Sequence, residues 1–248
     1  MPKPSDYGSG FAYFFAPFLN IEGILADGNQ YCRDWIQGER EESVEWEEIS
    51  IKKETLDSRS EYHTFATLFF GTHTPTQNFH EKRGLEFAII RYDADKLFEV
   101  EGAMFSEIAL QNQDEVRGPY SCRSNSKALE RLHWQAINST KVYQFWQWGK
   151  YSQAELMIPY EISGDYIHDI VFKSENSRRR YFEIHEIHGK STTVDPSQFI
   201  SPICQTCNDI DNVRPHSDYN TAYCETCEHN MNLSGWCLRK WNCAACSR

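Results

Sequence analysis

The chain has 248 residues, of which 40% are hydrophobic and 14% aromatic, so it can bury a core and is not disordered. Its formal net charge of -11 disfavours a nonspecific coat on nucleic acid, because that binding mode relies on Lys and Arg neutralising phosphates. No segment approaches the roughly 18 consecutive apolar residues of a membrane helix, and residues 1–6 lack the apolar core of a secretion signal. We therefore expect a cytoplasmic protein that does not bind membranes.

Short runs of aromatic, aliphatic and β-branched residues predict β-strands along the first two thirds of the chain. Polar segments rich in turn residues separate these runs, and residues 111–126 and 192–197 are a predicted surface loop and a predicted linker. The predicted strands cover residues 11–16, 64–70, 85–91, 102–105 and 166–172.

Capping residues mark the predicted helices, because Ser, Asp and Asn side chains accept hydrogen bonds from the first free N–H groups of a helix. The first predicted helix covers residues 20–28, with Asn20 as N-cap, Ile21, Ile24 and Leu25 on one face, and Gly28 at its end. Two short helices are predicted over residues 93–98, capped by Asp93, and over residues 126–134. The longest predicted helix covers residues 174–188; it is capped by Ser174, ends at Gly189, and has Tyr181, Ile184 and His188 on one stripe.

Glu155 stands directly before the apolar run Leu156-Met157-Ile158, which is an unfavourable position for a charge. A carboxylate there either lies on the solvated face of an edge strand or is held for chemistry. From this residue alone, the solvated strand residue is the simpler interpretation.

Arg178, Arg179 and Arg180 form the most basic spot in the chain. Such a run is usually a solvated helix face, but it is also the best candidate for a phosphate contact. Four aromatic residues lie close together in the sequence, namely Tyr143, Phe145, Trp146 and Trp148. They either belong to the core or offer nucleic-acid bases a stacking surface.

Seven of the nine cysteines lie between Cys204 and Cys246, and this clustering in a chain without a secretion signal favours metal binding over disulfides. Two Cys-x-x-Cys pairs, Cys204 with Cys207 and Cys224 with Cys227, have a spacing that lets four thiolates surround one tetrahedral zinc ion. We expect this zinc to be structural, because so short a segment with few aliphatic residues needs a metal to fold.

Three further cysteines, Cys237, Cys243 and Cys246, would need a fourth ligand to close a second zinc site, and His229 or His216 could supply it. The pairing is open, because Cys204 and Cys207 could instead share a metal with Cys243 and Cys246. One or two zinc ions are therefore expected.

Four segments resemble, in the same order, motifs of the DarT family of NAD-dependent ADP-ribosyltransferases, toxins that attach ADP-ribose to bases of nucleic acid. Residues 20–25 (NIEGIL) are similar to the family's Asn-Leu-x-x-Ile-Leu, and residues 67–75 (TLFFGTHTP) to its Pro-Phe-Tyr-Phe-x-x-Arg-x-Pro. Residues 132–137 (LHWQAI) resemble Leu-x-Trp-x-x-Ile, and residues 153–158 (QAELMI) resemble Gln-Ala-Glu followed by a strand. The similarity covers about residues 11–172 and leaves out the cysteines.

The resemblance implies an α+β fold, with a split-sheet ADP-ribosyltransferase core and flanking helices over residues 1–195, and the cysteines predict a small zinc-binding module over residues 196–248. The resemblance further implies that Glu155 is the catalytic carboxylate. Strand alternation predicts that Gln153 shares its face, and we expect His73 to position or deprotonate the accepting base. Asn20, Phe69 and Thr72 would contact NAD, the co-substrate. The implied partners are single-stranded DNA or RNA and a protein antitoxin, in a toxin-antitoxin or anti-phage system.

The sequence departs from the family motifs where the substrates should bind. Phe14 and Pro17 stand where the family has histidines, Phe69 replaces its Tyr, and His73 replaces the Arg that acts on the base; Ser152 replaces the Arg before Gln-Ala-Glu. Thymidine, guanine, adenine and an RNA substrate therefore stay open. Two alternatives remain, a transferase that modifies protein side chains and a non-catalytic, zinc-stabilised module that binds nucleic acid.

Overall fold

The computed structural model describes residues 2–32, 62–74, 76–77, 80–81, 84–109, 118–123, 128–138, 151–199, 204, 206–215 and 221–232. Several predicted features lie outside the described residues: most of the 111–126 loop, the aromatic group of residues 143–148, His216, Cys237, Cys243 and Cys246.

The described part of the chain is a mixed α+β structure in which strands predominate. The helices are short, namely α1 (Phe18–Asp27), α2 (Ala94–Leu97), α3 (Trp134–Ile137) and α4 (Glu175–Phe182), with 3-10 turns at Pro4–Tyr7, Ala128–Arg131, Gly164–Tyr166 and Pro196–Gln198. The strands are β1 (Phe11–Pro17), β2 (Asn29–Tyr31), β3 (Phe65–Phe69), β4 (Phe87–Asp93), β5 (Met104–Ser106), β6 (Tyr120–Ser121), β7 (Glu155–Pro159), β8 (Glu161–Ser163), β9 (Ile167–Phe172), β10 (Thr192–Val194), β11 (Val213–Pro215), β12 (Thr221–Cys224) and β13 (His229–Asn232).

The main sheet has eight strands in the order β10-β9-β4-β1-β3-β7-β5-β6. Neighbouring strands run antiparallel except β9 and β10, which run parallel. The central strands β1 and β3 meet at a single residue pair, Tyr13 with Phe69, whereas β1 pairs with β4 along its whole length. The sheet is therefore split into two halves joined at this pair, as the resemblance implies.

The two faces of the main sheet are covered unequally. The larger core packs α1 against one face, where Ala12, Leu68, Ile90, Leu156 and Ile170 are at most 3% exposed. Alternation along the strands directs the intervening residues to the other face. There a smaller apolar cluster holds Phe15, Phe87, Ile89, Val171 and Phe199, with Tyr13 and Phe69 partly buried at its edge.

The strand predictions are confirmed at their centres, and the caps at Asp93 and Ser174 and the left-handed Gly28 are confirmed as well. The predicted N-cap at Asn20 is wrong, because Pro17, which has no N–H to continue the ladder, ends β1 and α1 begins at Phe18. The predicted amphipathic helix over residues 126–134 is instead a 3-10 turn followed by α3.

The predicted helix over residues 174–188 is too long, since α4 ends at Phe182 and Ile184 is 78% exposed. The predicted linker over residues 192–197 is wrong in its first half. Residues Thr192–Val194 form β10 and pair with Ile170, Val171 and Phe172 of β9.

The C-terminal described residues form a separate three-stranded sheet, β11-β12-β13. Asp211 links this sheet to the main body, since it accepts hydrogen bonds from Ser174 Oγ (2.7 Å) and Asn176 Nδ2 (3.2 Å) of the α4 N-terminal turn. A polar cavity of about 260 Å³ lies at the same seam, and its lining includes Lys173, Arg180, Asp211 and Arg214. Within the described ranges, no helix has the length and apolar composition required to cross a bilayer.

Candidate active site

One row of side chains crosses the main sheet on the face that carries the smaller apolar cluster. Register pairs connect Ser106 on β5 to Glu155 on β7, Glu155 to Phe69 on β3, and Phe69 to Tyr13 on β1. The row continues through Arg91 on β4 to Asp169 on β9. Because paired residues point to the same face of a sheet, these side chains lie side by side across the split.

Glu155 is the first residue of β7 and is 1% exposed. The solvated edge-strand interpretation is therefore wrong, because β3 and β5 flank β7 on both sides. A buried carboxylate lowers stability unless the site compensates for its desolvation, whereas a neutral residue would satisfy the strand. Glu155 is thus a buried carboxylate inside the sheet, at the start of a strand that a neutral residue would also satisfy.

Gln153 and Ser152 precede β7 in a buried turn, where they are 6% and 1% exposed. The strand alternation that predicted a common face for Gln153 and Glu155 does not reach Gln153, because β7 begins at Glu155. Backbone hydrogen bonding still fixes this turn beside the end of β3, since Phe70 N donates to Ala154 O at 3.1 Å.

Gly71 passes closely between two other segments. A Cβ at this residue would lie 2.8 Å from the carbonyl oxygen of Ile137 and 3.5 Å from that of Ser152. A side chain larger than hydrogen would therefore displace the end of α3, whereas the approach to Ser152 is an ordinary contact. Helix α3 is held in place by Trp134, whose ring stacks on Tyr7 (5.0 Å between centroids) and contacts Phe70 edge-on (5.8 Å).

The loop after Gly71 is buried although its sequence is polar. Thr72, His73 and Thr74 are 7%, 5% and 0% exposed, and Thr72 Oγ1 lies 3.0 Å from His73 Nδ1. Gln77 Nε2 donates to Gln198 O at 2.6 Å, which ties this loop to the turn that carries Phe199. His73 is therefore an interior histidine and not a surface one.

The predicted NAD contacts have different environments. Phe69 belongs to the row itself, and its ring packs 5.6 Å from that of Phe15. Thr72 follows it in the buried loop. Asn20 lies within the first turn of α1 and is partly buried, immediately after β1.

Sequence reasoning missed four members of the row, Ser106, Tyr13, Arg91 and Asp169. Arg91 binds the Asp169 carboxylate through Nε (2.6 Å) and Nη2 (2.5 Å), and Thr193 Oγ1 on β10 donates to the same carboxylate at 2.6 Å. Burial raises the pKa of Asp169, but the hydrogen bonds from Arg91 and Thr193 lower it by more, so it is held below its ordinary value. Only the strand pairing shows that these residues align with Glu155.

Each arginine of the basic run on α4 has a carboxylate near it, so the run is not an uncompensated cationic patch. Consecutive helix residues also point in different directions, which separates the three guanidinium groups. The pairs are Arg178 with Glu175 (2.6 Å), Arg179 with Glu183 (4.0 Å), and Arg180 with Glu86 (2.5 Å) and Asp211 (3.9 Å).

Cys204, Cys207, Cys224 and Cys227 converge in the C-terminal sheet, with their four sulfur atoms within 4.8 Å of one another. Cys207 Sγ lies 3.7 Å from Cys224 Sγ. Tetrahedral coordination with Zn–S bonds of ~2.3 Å separates the sulfur atoms by ~3.8 Å, so the donor set fits zinc. His229 lies on β13 opposite Cys224 and is not part of this group of four.

Both Cys-x-x-Cys turns have the same local design. The residue after the second cysteine, Asn208 in one and Glu228 in the other, adopts a left-handed conformation (φ 59° and 53°). Burial raises the pKa of Cys204, but backbone N–H groups of Cys207 and Thr206 donate to its sulfur, and the pKa falls to about 6. One thiol of the four is thus prepared to ionise, as a metal ligand must.

A sequence profile described as "DarT: ssDNA thymidine ADP-ribosyltransferase, DarT" matches residues 13–200, which is well over half of the 248 residues. The match begins at Tyr13, includes the whole row, and ends before the cysteine group. A comparison with curated protein sequences found no significant match.

The fold is similar to those of solved DarT structures. Thermosipho africanus DarTG in complex with ADP-ribose has a TM-score of 0.62 and 13% identity, covering 79% of this chain and 54% of that one. The chain thus spans about half of the Thermosipho protein. Thermus sp. 2.9 DarT in complex with NAD+ has a TM-score of 0.56 and 12% identity, covering 77% of this chain and 98% of that one. The same protein in complex with ADP-ribosylated ssDNA has a TM-score of 0.54 and 12% identity, covering 77% of this chain and 97% of that one.

Proposed function

The chain belongs to the DarT family, and on that premise we propose that it transfers ADP-ribose from NAD to a base of single-stranded DNA, with Glu155 as the catalytic carboxylate. The observation that carries this proposal is the burial of Glu155 within the sheet, in register with Phe69 at the junction of the two halves. A buried carboxylate at the split of a transferase fold is a candidate for the chemistry of transfer.

The chemistry needs a negative charge near the ribose. Nicotinamide leaves with the electron pair of its bond to ribose, and positive charge develops on the ribose as in an oxocarbenium ion. The Glu155 carboxylate would stabilise that charge and orient the neighbouring 2'-hydroxyl. A nucleophilic atom of the base then bonds to the same ribose carbon and releases its proton.

His73 and Gln153 have supporting roles in this proposal. The His73 imidazole, buried in the loop after β3, would accept the proton from the base or orient it. Gln153, in the turn directly before Glu155, would bind the nicotinamide ribose. Asn20, Phe69 and Thr72 would contact NAD around them.

Single-stranded DNA is the substrate we favour, because the Thermus relative with the same fold was solved with ADP-ribosylated ssDNA. The experiment is to incubate the protein with NAD and with matched DNA and RNA oligonucleotides that each carry one base type, and to weigh the products. A mass gain of one ADP-ribose on DNA supports the proposal. A gain on RNA alone, or on protein alone, contradicts the choice of substrate.

Arg178, Arg179 and Arg180 remain proposed contacts to the nucleic-acid backbone. Arg179 is the best placed of the three, because its side chain is 71% exposed and its carboxylate partner is 4.0 Å away. Arg180 is the poorest candidate, since it binds Glu86 at 2.5 Å. Arg179→Ala should weaken DNA binding and flatten its salt dependence; an unchanged salt slope would contradict the contact.

We further propose that the activity is that of a toxin in a toxin-antitoxin or anti-phage system, restrained in the cytoplasm by an antitoxin protein. The family resemblance supports this role. Cells that express the wild-type chain should stop growing while cells that express Glu155→Gln continue. Equal growth of the two would contradict the role as a toxin.

Cys204, Cys207, Cys224 and Cys227 are proposed to hold one structural zinc ion. Purified protein should contain one zinc per chain, and Cys227→Ser should lose it, while the control Cys122→Ser, which changes a buried cysteine of the main body, should keep it. Two ions per chain would assign the second to Cys237, Cys243 and Cys246 with a histidine such as His229. A zinc content that is unchanged from the wild type in Cys227→Ser would contradict the four-cysteine site.

A further inference from the structure

Tyr13 occupies the junction of the split sheet. It forms the single residue pair between β1 and β3, and its partner Phe69 is in turn paired with Glu155. Neighbouring strands lie ~4.8 Å apart, so Tyr13 lies ~10 Å from Glu155 across the face of the sheet. A substrate that reacts at Glu155 and extends across the split must pass over Phe69 and reach Tyr13.

The Tyr13 side chain is the member of the row that carries a polar group ~10 Å from Glu155. Its ring packs at the edge of the cluster of Phe15, Phe87, Ile89, Val171 and Phe199 and stays partly exposed. Its hydroxyl has no hydrogen-bond partner among the described residues. The hydroxyl is not among the fully buried polar atoms without a partner, so a ligand can reach it and supply an acceptor.

The neighbours of Tyr13 in the row cannot serve in its place. Phe69 has no polar atom, and Arg91 is held by both oxygens of Asp169. Burial raises the pKa of Tyr13, although the charge of Arg91 lowers it, so the hydroxyl remains protonated and able to donate. Among the described members of the row, Tyr13 is therefore the one that offers a free donor between Glu155 and the Arg91–Asp169 pair.

We propose that Tyr13 is a NAD-binding residue whose hydroxyl donates a hydrogen bond to the ADP half of the dinucleotide, on the far side of Phe69 from Glu155. This inference rests on the proposed function, because it assumes that the nicotinamide ribose lies at Glu155. Tyr13 holds the unreacted half of NAD and takes no part in breaking the bond to nicotinamide. The Tyr13 hydroxyl therefore contributes to the affinity for NAD and not to the rate of the chemical step.

Tyr13→Phe in the full chain separates these contributions. The variant should raise the KM and the Kd for NAD about tenfold, as expected for the loss of one uncharged hydrogen bond, and leave kcat within about twofold. Tyr92→Phe is the matched control, since Tyr92 lies on adjacent β4, faces the larger core and donates to Gln30 at 2.8 Å. It should leave KM and Kd unchanged.

Direct measurement of NAD binding by calorimetry distinguishes the two possible failures. If the wild type modifies DNA but Tyr13→Phe keeps the wild-type Kd and KM, the role of Tyr13 is wrong while the proposed function stands. If the wild type binds NAD but modifies no oligonucleotide, the proposed function is wrong. A loss of kcat in Tyr13→Phe with unchanged KM overturns the assignment to binding.

Discussion

Glu155 shows how a residue can be identified from sequence while its environment cannot. Its position beside Leu156-Met157-Ile158 marks it as unusual, but whether it is solvated depends on what pairs with its strand. The structure supplies β3 on one side and β5 on the other, and Glu155 is 1% exposed. Tyr13 has no local signal of this kind, because its importance arises only from the pairing of β1 with β3.

His73 has a residue-scale prediction of its own. If it accepts the proton of the base, His73→Gln, which cannot take up a proton, should lower the rate of transfer about 100-fold, in line with the usual size of general-base catalysis. The Kd for NAD should stay unchanged, because the proposed role of His73 is toward the base and not toward NAD. A transfer rate within about twofold of the wild type would exclude the role.

At the scale of elements, local signals predicted what local interactions determine. The strands that contain Ala12, Leu68, Ile90 and Ile170 follow apolar patterning. Ser174 caps its helix by accepting a hydrogen bond from Ser177 N at 2.8 Å. β10 was missed because three residues of mixed polarity become a strand only through their pairing with β9. The end of α4 was missed because Ile184, apolar in sequence, faces solvent.

The Arg91–Asp169–Thr193 interaction ties β4, β9 and β10 together, and it leads to a prediction about acid stability. Because the pKa of Asp169 is lowered in the folded protein, its stabilisation is complete above about pH 4, the ordinary pKa of an aspartate in the unfolded chain. The stabilisation is lost as the pH falls from there through the lower pKa of the folded protein. Asp169→Asn should reduce the free energy of unfolding by about 1.5–3 kcal/mol at pH 7.

Urea unfolding at pH 7 and pH 3.5 measures this effect, with Asp165→Asn as the control at an exposed aspartate. The difference between Asp169→Asn and wild type should shrink at pH 3.5, and the control should be neutral at both. A difference of equal size at the two pH values would show that the charge of Asp169 does not contribute.

At the scale of the whole molecule, the order of four weak motifs predicted the fold, because together they mark β1 with α1, the end of β3, α3 and the start of β7. What these motifs could not show is how the C-terminal region joins the body. Phe199, beyond the predicted boundary at residue 195, is fully buried against Phe87 of the main sheet, and Asp211 binds the α4 N-terminal turn. That boundary stays a prediction.

The central claim is tested most directly by Glu155→Gln, which removes the charge and keeps the size of the side chain. Its mass-spectrometric assay with NAD and DNA oligonucleotides should show a loss of transfer of at least about 1,000-fold, since the charge acts in the transition state. Its thermal unfolding should remain a single cooperative transition, which shows that the loss of transfer is not a loss of folding. An oligonucleotide modified at the wild-type rate by a folded Glu155→Gln protein would contradict the account.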